Sequence, residues 1–324
     1  MPNVETVRGP VDTADLGPVL VHEHVFILSH EFIVNYPDIE GFDAERDVAA
    51  AVVRMNDLVD AGVGTIVDLT VAGIGRDVAL VQRVAEQTSL NIVVATGYYT
   101  FTELPLFVEM RARFSGGALA DMLAGWFVTD ITEGIAHTGV KAGILKCATD
   151  HPGVTPAVEE VLRAVARAHR ATGVPVSTHT EPATRRGLEQ QEVFESEGVD
   201  LSRVVIGHSG DTADLEYLEE VLARGSYLGM DRFGLYGILS FEERVRTIVE
   251  LCERGHSEKL VLSHDAACYN DWFPGGIVAM GPWHYCHISQ DVLPALRAAG
   301  LGDAELTTML VDNPRRLFDV QGAY

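Results

Sequence analysis

The chain has little positive charge. Lys and Arg number 24 against 47 Asp and Glu, a formal net charge of −23. No basic run is long enough to overturn that balance. Holding nucleic acid or an anionic membrane requires basic groups that neutralise phosphates, so neither partner is expected. No 18-residue apolar run is present to span a bilayer. The opening stretch MPNVETVRGPVDTADLG lacks the charged-then-apolar order of an export signal. Cysteine is scarce: Cys147, Cys252, Cys268 and Cys286 are scattered without CxxC or framework spacing. They read as free thiols in a reducing compartment, and the chain as a cytoplasmic protein. Low-complexity segments, charge blocks and Pro/Ser-rich linkers are missing as well. One domain over residues 1–324 is therefore expected, with 47% apolar residues to fill its core.

What is present is a rhythm of short Val/Ile/Leu-rich runs alternating with amphipathic helical patterns. The strand candidates are PVLVHEHVF (18–26), TIVDLT (65–70), NIVVATGYY (91–99), AGILKCATD (142–150), PVSTHT (175–180), VVIGHSG (204–210), SYLGMDRFG (226–234) and KLVLSHD (259–265). The helix PAVEEVLRAVARAHRATG carries Pro156 near its first turn and Gly173 at its end, as helix start and stop chemistry predicts. Eight strands each followed by a helix predict an α/β fold, a (β/α)8 TIM barrel, with its site at the C-terminal strand ends. The rival, a doubly wound open sheet, usually has a glycine-rich phosphate loop after an early strand, and none follows the first strand here.

Within VLVHEHVF, His22 and His24 point to one face of a strand and Glu23 to the other. One strand histidine is commonly a satisfied core residue. Two in register are poor core filler, because every buried ring nitrogen needs a partner. Neutral imidazole is, however, the commonest metal ligand. Further polar groups stand at other strand ends: Lys146, His179, His208 and Asp265. Singly, each has an ordinary explanation, such as a loop cap for the histidines or a helix N-cap for Asp265. Together with His22 and His24 they converge on one rim of the barrel, which core packing does not require and a metal site does.

Four imidazoles and a carboxylate suit zinc, with cobalt, iron or manganese as alternatives, and exceed what one catalytic zinc usually takes. Two divalent transition metals per chain are expected. Two such cations need a bridging anion. Lys146 carboxylated by CO₂, as N6-carboxylysine, would supply one, since burial and nearby cations favour the reactive neutral amine. A Schiff-base role for Lys146 is the alternative, although that chemistry needs no metal.

The ordered segments TVRGPVDTADLGPVLVHEHVF, GILKCATD, VPVSTHT, VVIGHSGDTADLEYLEEVLARGSYLGMDRFG, LVLSHD and LVDNPRRLF cover almost the whole chain. They resemble the phosphotriesterase-related branch of the amidohydrolase superfamily, and within it the phosphotriesterase-like lactonases. The resemblance implies His22, His24 and Asp265 on a buried metal, His179 and His208 on a more exposed one, and carboxylated Lys146 between them. It also matches Tyr99 to a tyrosine that approaches the substrate, with Tyr98 facing the other way, and Arg232 to the arginine typical of the lactonases. Without it, Tyr99 could be a rim aromatic and Arg232 a structural partner of Asp231.

After the eighth strand, residues 266–287 form a long connection carrying Cys268, Trp272, Phe273 and Met280. Such length is usually functional. An apolar lid suits a substrate with an acyl tail, while a subunit interface is the other use of exposed aromatics. The expected activity is hydrolytic opening of N-acyl-homoserine lactones, that is, quorum quenching. Asp265 would act as proton carrier, Tyr99 and Arg232 at the substrate, and Cys268, Trp272, Phe273 and Met280 along its path. Weak organophosphate hydrolysis and a homodimer complete the expectation. The alternatives are a dedicated phosphotriesterase or aryl esterase, a metal-binding barrel without turnover, and an aldolase-type lyase.

Overall fold

The computed structural model describes residues 2–39, 41–273, 281–319 and 322–324. An antiparallel hairpin, β1 (Asn3–Thr6) and β2 (Gly9–Asp12), precedes the barrel. The barrel strands are β3 (Val19–Ile27), β4 (Thr65–Asp68), β5 (Asn91–Gly97), β6 (Ile144–Ala148), β7 (Val176–His179), β8 (Val204–Ile206), β9 (Tyr227–Met230) and β10 (Leu260–Leu262). Each falls within or beside a predicted run and pairs in parallel with its sequence neighbour. The runs are buried on both faces, as strands wrapped by crossover helices must be. The helix Pro156–Thr172 starts and stops where its sequence predicts: Thr155 caps the Val158 N–H, and Gly173 ends it at φ 78°. The (β/α)8 barrel is thus the fold of this chain.

Every barrel strand but β3 ends before its predicted run does, and two of those breaks shape the site. β8 stops before His208, which sits at φ 60°, and β10 stops before Asp265, at φ 56°. Left-handed backbone at a non-glycine residue is strained and persists only where neighbours fix it. At His208 the neighbour is Asp231, whose carboxylate accepts the displaced N–H at 2.7 Å.

At Asp265 the neighbour is Glu23, fully buried on the outer side of β3. Its Oε1 accepts from Ser263 Oγ (2.7 Å), the His264 N–H (3.0 Å) and His264 Nδ1 (2.7 Å); Oε2 accepts the Ala266 N–H at 2.9 Å. Beyond this break the chain forms β11 (Ala267–Asn270), a strand within the long connection that the sequence does not predict; it pairs in parallel with β3. The Asp265 N–H to His22 carbonyl (3.0 Å) and His24 N–H to Ala266 carbonyl (2.8 Å) bonds close the barrel.

Candidate metal centre

Every predicted donor lies at the C-terminal strand ends. His22 and His24 project inward from β3, and Lys146 from β6. His179 ends β7, while His208 and Asp265 occupy the two left-handed turns. Gly97 helps bring them together: at φ 142°, a Cβ there would lie 1.8 Å from the Lys146 carbonyl oxygen. Its absence lets β5 pass close to β6 before the chain turns to Tyr99.

Each histidine has one ring nitrogen held and the other turned inward. His22 Nδ1 lies 2.8 Å from Asp231 Oδ2, leaving Nε2 3.3 Å from Asp265 Oδ1. His24 Nδ1 meets Thr70 Oγ1 at 2.8 Å, whose hydroxyl donates to Asp68 at 2.6 Å; its Nε2 is 3.0 Å from Asp265 Oδ1. His208 Nδ1 is 3.0 Å from Asp231 Oδ1, and its Nε2 reaches His179 Nδ1 at 2.9 Å. The other nitrogen of His179 faces Asp150 at 2.9 Å. Lys146 Nζ stands 3.0 Å from His22 Nε2 and donates to the Thr178 carbonyl at 3.1 Å. The ligand atoms of His22, His24 and Asp265 lie within 4.8 Å of one another. Carboxylates and a hydroxyl behind the rings, with lone pairs converging in front, are what a histidine metal site requires.

The electrostatics agree with that donor set. Burial lowers His179 to about 4, and burial followed by the Arg232 charge holds His208 well below its ordinary range. His22 is lowered by burial and then by Lys146. Three neutral imidazoles result, the form that binds metal. Burial opposes the charge on Asp265, but His22, a hydrogen bond from His24, His208 and Arg232 hold its carboxyl well below the usual range. Burial brings Lys146 down to about 8, although Asp265 and Asp231 pull the other way. An amine so lowered is partly neutral near neutral pH, the state that adds CO₂.

The remaining sequence-derived residues divide. Tyr99 places its hydroxyl 3.0 Å from His179 Nδ1. Arg232 does not pair with Asp231: its Nε donates to Asp265 Oδ2 and its Nη1 to Asp211 Oδ2, each at 3.0 Å. Tyr99, Arg232, Trp272 and Phe273 all line a cavity of about 240 Å³ over the donors, together with Ile27, Ile74, Leu235 and Ile238. Cys268 stands apart from that lining. Its thiol is buried 3.3 Å from the Tyr285 hydroxyl, and burial pushes it up to about 11. Met280 lies outside the described residues.

A role behind the histidine rings for Asp231, Asp68, Thr70 or Asp150 is not legible in the sequence. Their only signal was position, each just at or past the end of a strand run. Asp231 should matter most, because its two oxygens hold two rings. Asp231→Asn is expected to weaken metal retention about 10–100-fold, the usual cost of losing such a support. Titration with a competing chelator measures this, and unchanged retention would remove Asp231 from the site.

The phosphotriesterase family model matches residues 2–318. A phosphotriesterase homology protein of Mycobacterium tuberculosis is 56% identical over 326 residues, covering all of both chains. An aryldialkylphosphatase of Saccharolobus solfataricus is 35% identical over 315 residues, 96% of this chain and 98% of that one. The solved structure of the phosphotriesterase from Mycobacterium tuberculosis matches with a TM-score of 0.93 at 55% identity, over the whole of both chains.

Proposed function

The chain belongs to the phosphotriesterase family, and on that premise we propose that it is a lactonase that opens the ring of N-acyl-homoserine lactones. The observation that carries this reading is the cavity. The donor cluster forms its floor, Tyr99 and Arg232 flank that floor, and Ile27, Ile74, Leu235, Ile238, Trp272 and Phe273 supply apolar walls. A polar ring placed on the floor with an acyl tail along the walls uses both parts.

On this reading His22, His24 and Asp265 would hold one divalent cation, His179 and His208 a second, and carboxylated Lys146 would complete the donor set. Zinc is the first choice, with cobalt, iron or manganese as substitutes. When bound, the pair supplies hydroxide at neutral pH and a Lewis acid for the ester carbonyl. The protein's own groups do the rest. Tyr99 Oη stays protonated, because burial raises it far above its ordinary range, and donates to the substrate to orient the ring. Asp265 takes the proton released as the acyl–oxygen bond is replaced by acyl–hydroxyl, and returns it to the departing alkoxide. Arg232, bonded to Asp265 Oδ2, holds that carboxylate in place.

The chain would act as one barrel unit and as a homodimer. We place the subunit contact on the helix Leu106–Ser115, which exposes Leu106, Phe107 and Phe114.

A dedicated phosphotriesterase is the second reading, favoured by the likeness to an aryldialkylphosphatase. The substrates decide between them. A lactone carbonyl goes from planar to tetrahedral, whereas a phosphotriester passes from tetrahedral to five-coordinate, so one site cannot fit both equally. The expected kcat/KM for a medium- or long-chain acyl-homoserine lactone exceeds that for paraoxon by at least ~100-fold, about 2.7 kcal/mol. Equal or better efficiency on paraoxon would make the second reading the right one.

A further inference from the structure

Arg244 is among the largest fully buried side chains, 1% exposed, and the chemistry above makes no use of it. It lies in the helix Phe241–Glu253, behind the cavity wall. Burying a guanidinium is costly unless its donors are met. Here they are met by two loops at the catalytic end of the barrel. Nη1 donates to the Gly210 carbonyl at 2.6 Å, Nη2 to Leu235 at 3.1 Å and Nε to Leu239 at 3.2 Å. Leu235 is itself a cavity wall.

Arg244 also ends a row of alternating charges. Its Nη2 lies 2.7 Å from Asp211 Oδ1, an ion-pair contact without hydrogen-bond alignment. The other oxygen of Asp211 accepts from Arg232, and Arg232 in turn donates to Asp265. The order is Asp265, Arg232, Asp211, Arg244. The last two side chains are the driest, at 3% and 2% exposure. Two carboxylates therefore compete for one guanidinium at the cavity floor. Arg244 offsets part of the charge on Asp211, which leaves Arg232 shared with Asp265.

We propose that Arg244 is a positioning residue for substrate selectivity: through its charge beside Asp211 it sets where Arg232 stands. Without the Arg244 charge, Arg232 is the only cation in contact with Asp211 among the described residues. In a dry setting that attraction is weakly screened, so Arg232 moves toward Asp211 and away from Asp265 and the substrate. The inference leans on the lactonase reading only for the choice of probes.

The test uses the full-length, metal-loaded enzyme and four forms: wild type, Arg244→Met, Asp211→Asn and the double variant. For each, kcat and KM are measured on a long-chain acyl-homoserine lactone and on paraoxon, alongside metal content and Tm. Arg244→Met should lose about 10–100-fold in kcat/KM on the preferred substrate while keeping its metals, and change the ratio between the substrates at least ~5-fold. Adding Asp211→Asn should recover several-fold of that loss, since a neutral amide no longer competes for Arg232. Equal losses on both substrates, or a double variant no better than the single one, would reduce Arg244 to a staple between loops and overturn the proposal.

Should Arg244→Met fail to fold, Arg244→Lys serves in its place. It keeps the charge at Asp211 but not the fork of carbonyl contacts. The wild-type substrate ratio is expected to survive in it, and a ratio shifted at least ~5-fold sinks the idea. A wild type that prefers paraoxon would refute the lactonase reading and leave this comparison intact.

Discussion

Lys146→Ala should lose on the order of 10³-fold or more in kcat/KM, about 4 kcal/mol of transition-state stabilisation, and its metals should fall in step. Lys146 is 1% exposed, and its bonded partners are a ring nitrogen and a backbone carbonyl. Among the described residues no carboxylate lies within ion-pair distance of it. A permanently charged ammonium would be costly there. The lowered proton affinity, about 8, leaves neutral amine that, on the proposed reading, would add CO₂ and release a proton to give an anionic carbamate. Such an anion would serve as the bridge that two adjacent cations need.

Short carboxylic acids should therefore restore part of the activity of Lys146→Ala. Lys146→Arg should fail, because its guanidinium stays cationic between cations. Metal analysis and steady-state kinetics read all of these results. Wild-type turnover in Lys146→Arg would end the carbamate proposal. Covalent trapping of substrate by borohydride would instead support the Schiff-base alternative.

Glu23→Ala is expected to be the most damaging change to stability. It removes the acceptor of four donors behind the strand break: Ser263 Oγ, the His264 and Ala266 N–H groups, and His264 Nδ1. All lie at buried positions. Stripping one partner from a buried charged network typically costs ~3–5 kcal/mol. For a chain of this size that lowers Tm by on the order of 10 °C. Glu23→Gln should fall between, because its amide keeps one acceptor but turns an N–H toward that of Ala266. Both variants should also hold metal less well, since the network fixes the left-handed turn that presents Asp265. Calorimetry and metal analysis check this. A Glu23→Ala protein with wild-type Tm would mean that the turn is held by other contacts.

Much of the site was legible before any coordinates. Strand periodicity alone put His22 and His24 on one face, and both turn inward toward Asp265. Periodicity also sent Glu23 the other way, but could not say that the outer side is dry there. Its partners are 240 or more residues distant in sequence. Asp231 stands beside Arg232 in GMDRFG, and an ion pair between them is the alternative to a place for Arg232 at the substrate. The backbone instead turns Asp231 onto two histidines and Arg232 onto Asp211 and Asp265. Both residues lie past the end of β9, where no strand period says which way a side chain points.

Sequence by itself determined the barrel, its strand order and the identities of the inward donors, because these follow from local periods and chain order. Tertiary structure decided which nitrogen of each histidine faces the centre and where β8 and β10 stop. Those outcomes depend on single hydrogen bonds to Asp231, Thr70 and Glu23 across the barrel. A buried donor takes whichever acceptor the closed fold brings within reach, and no local pattern in the chain encodes that distance.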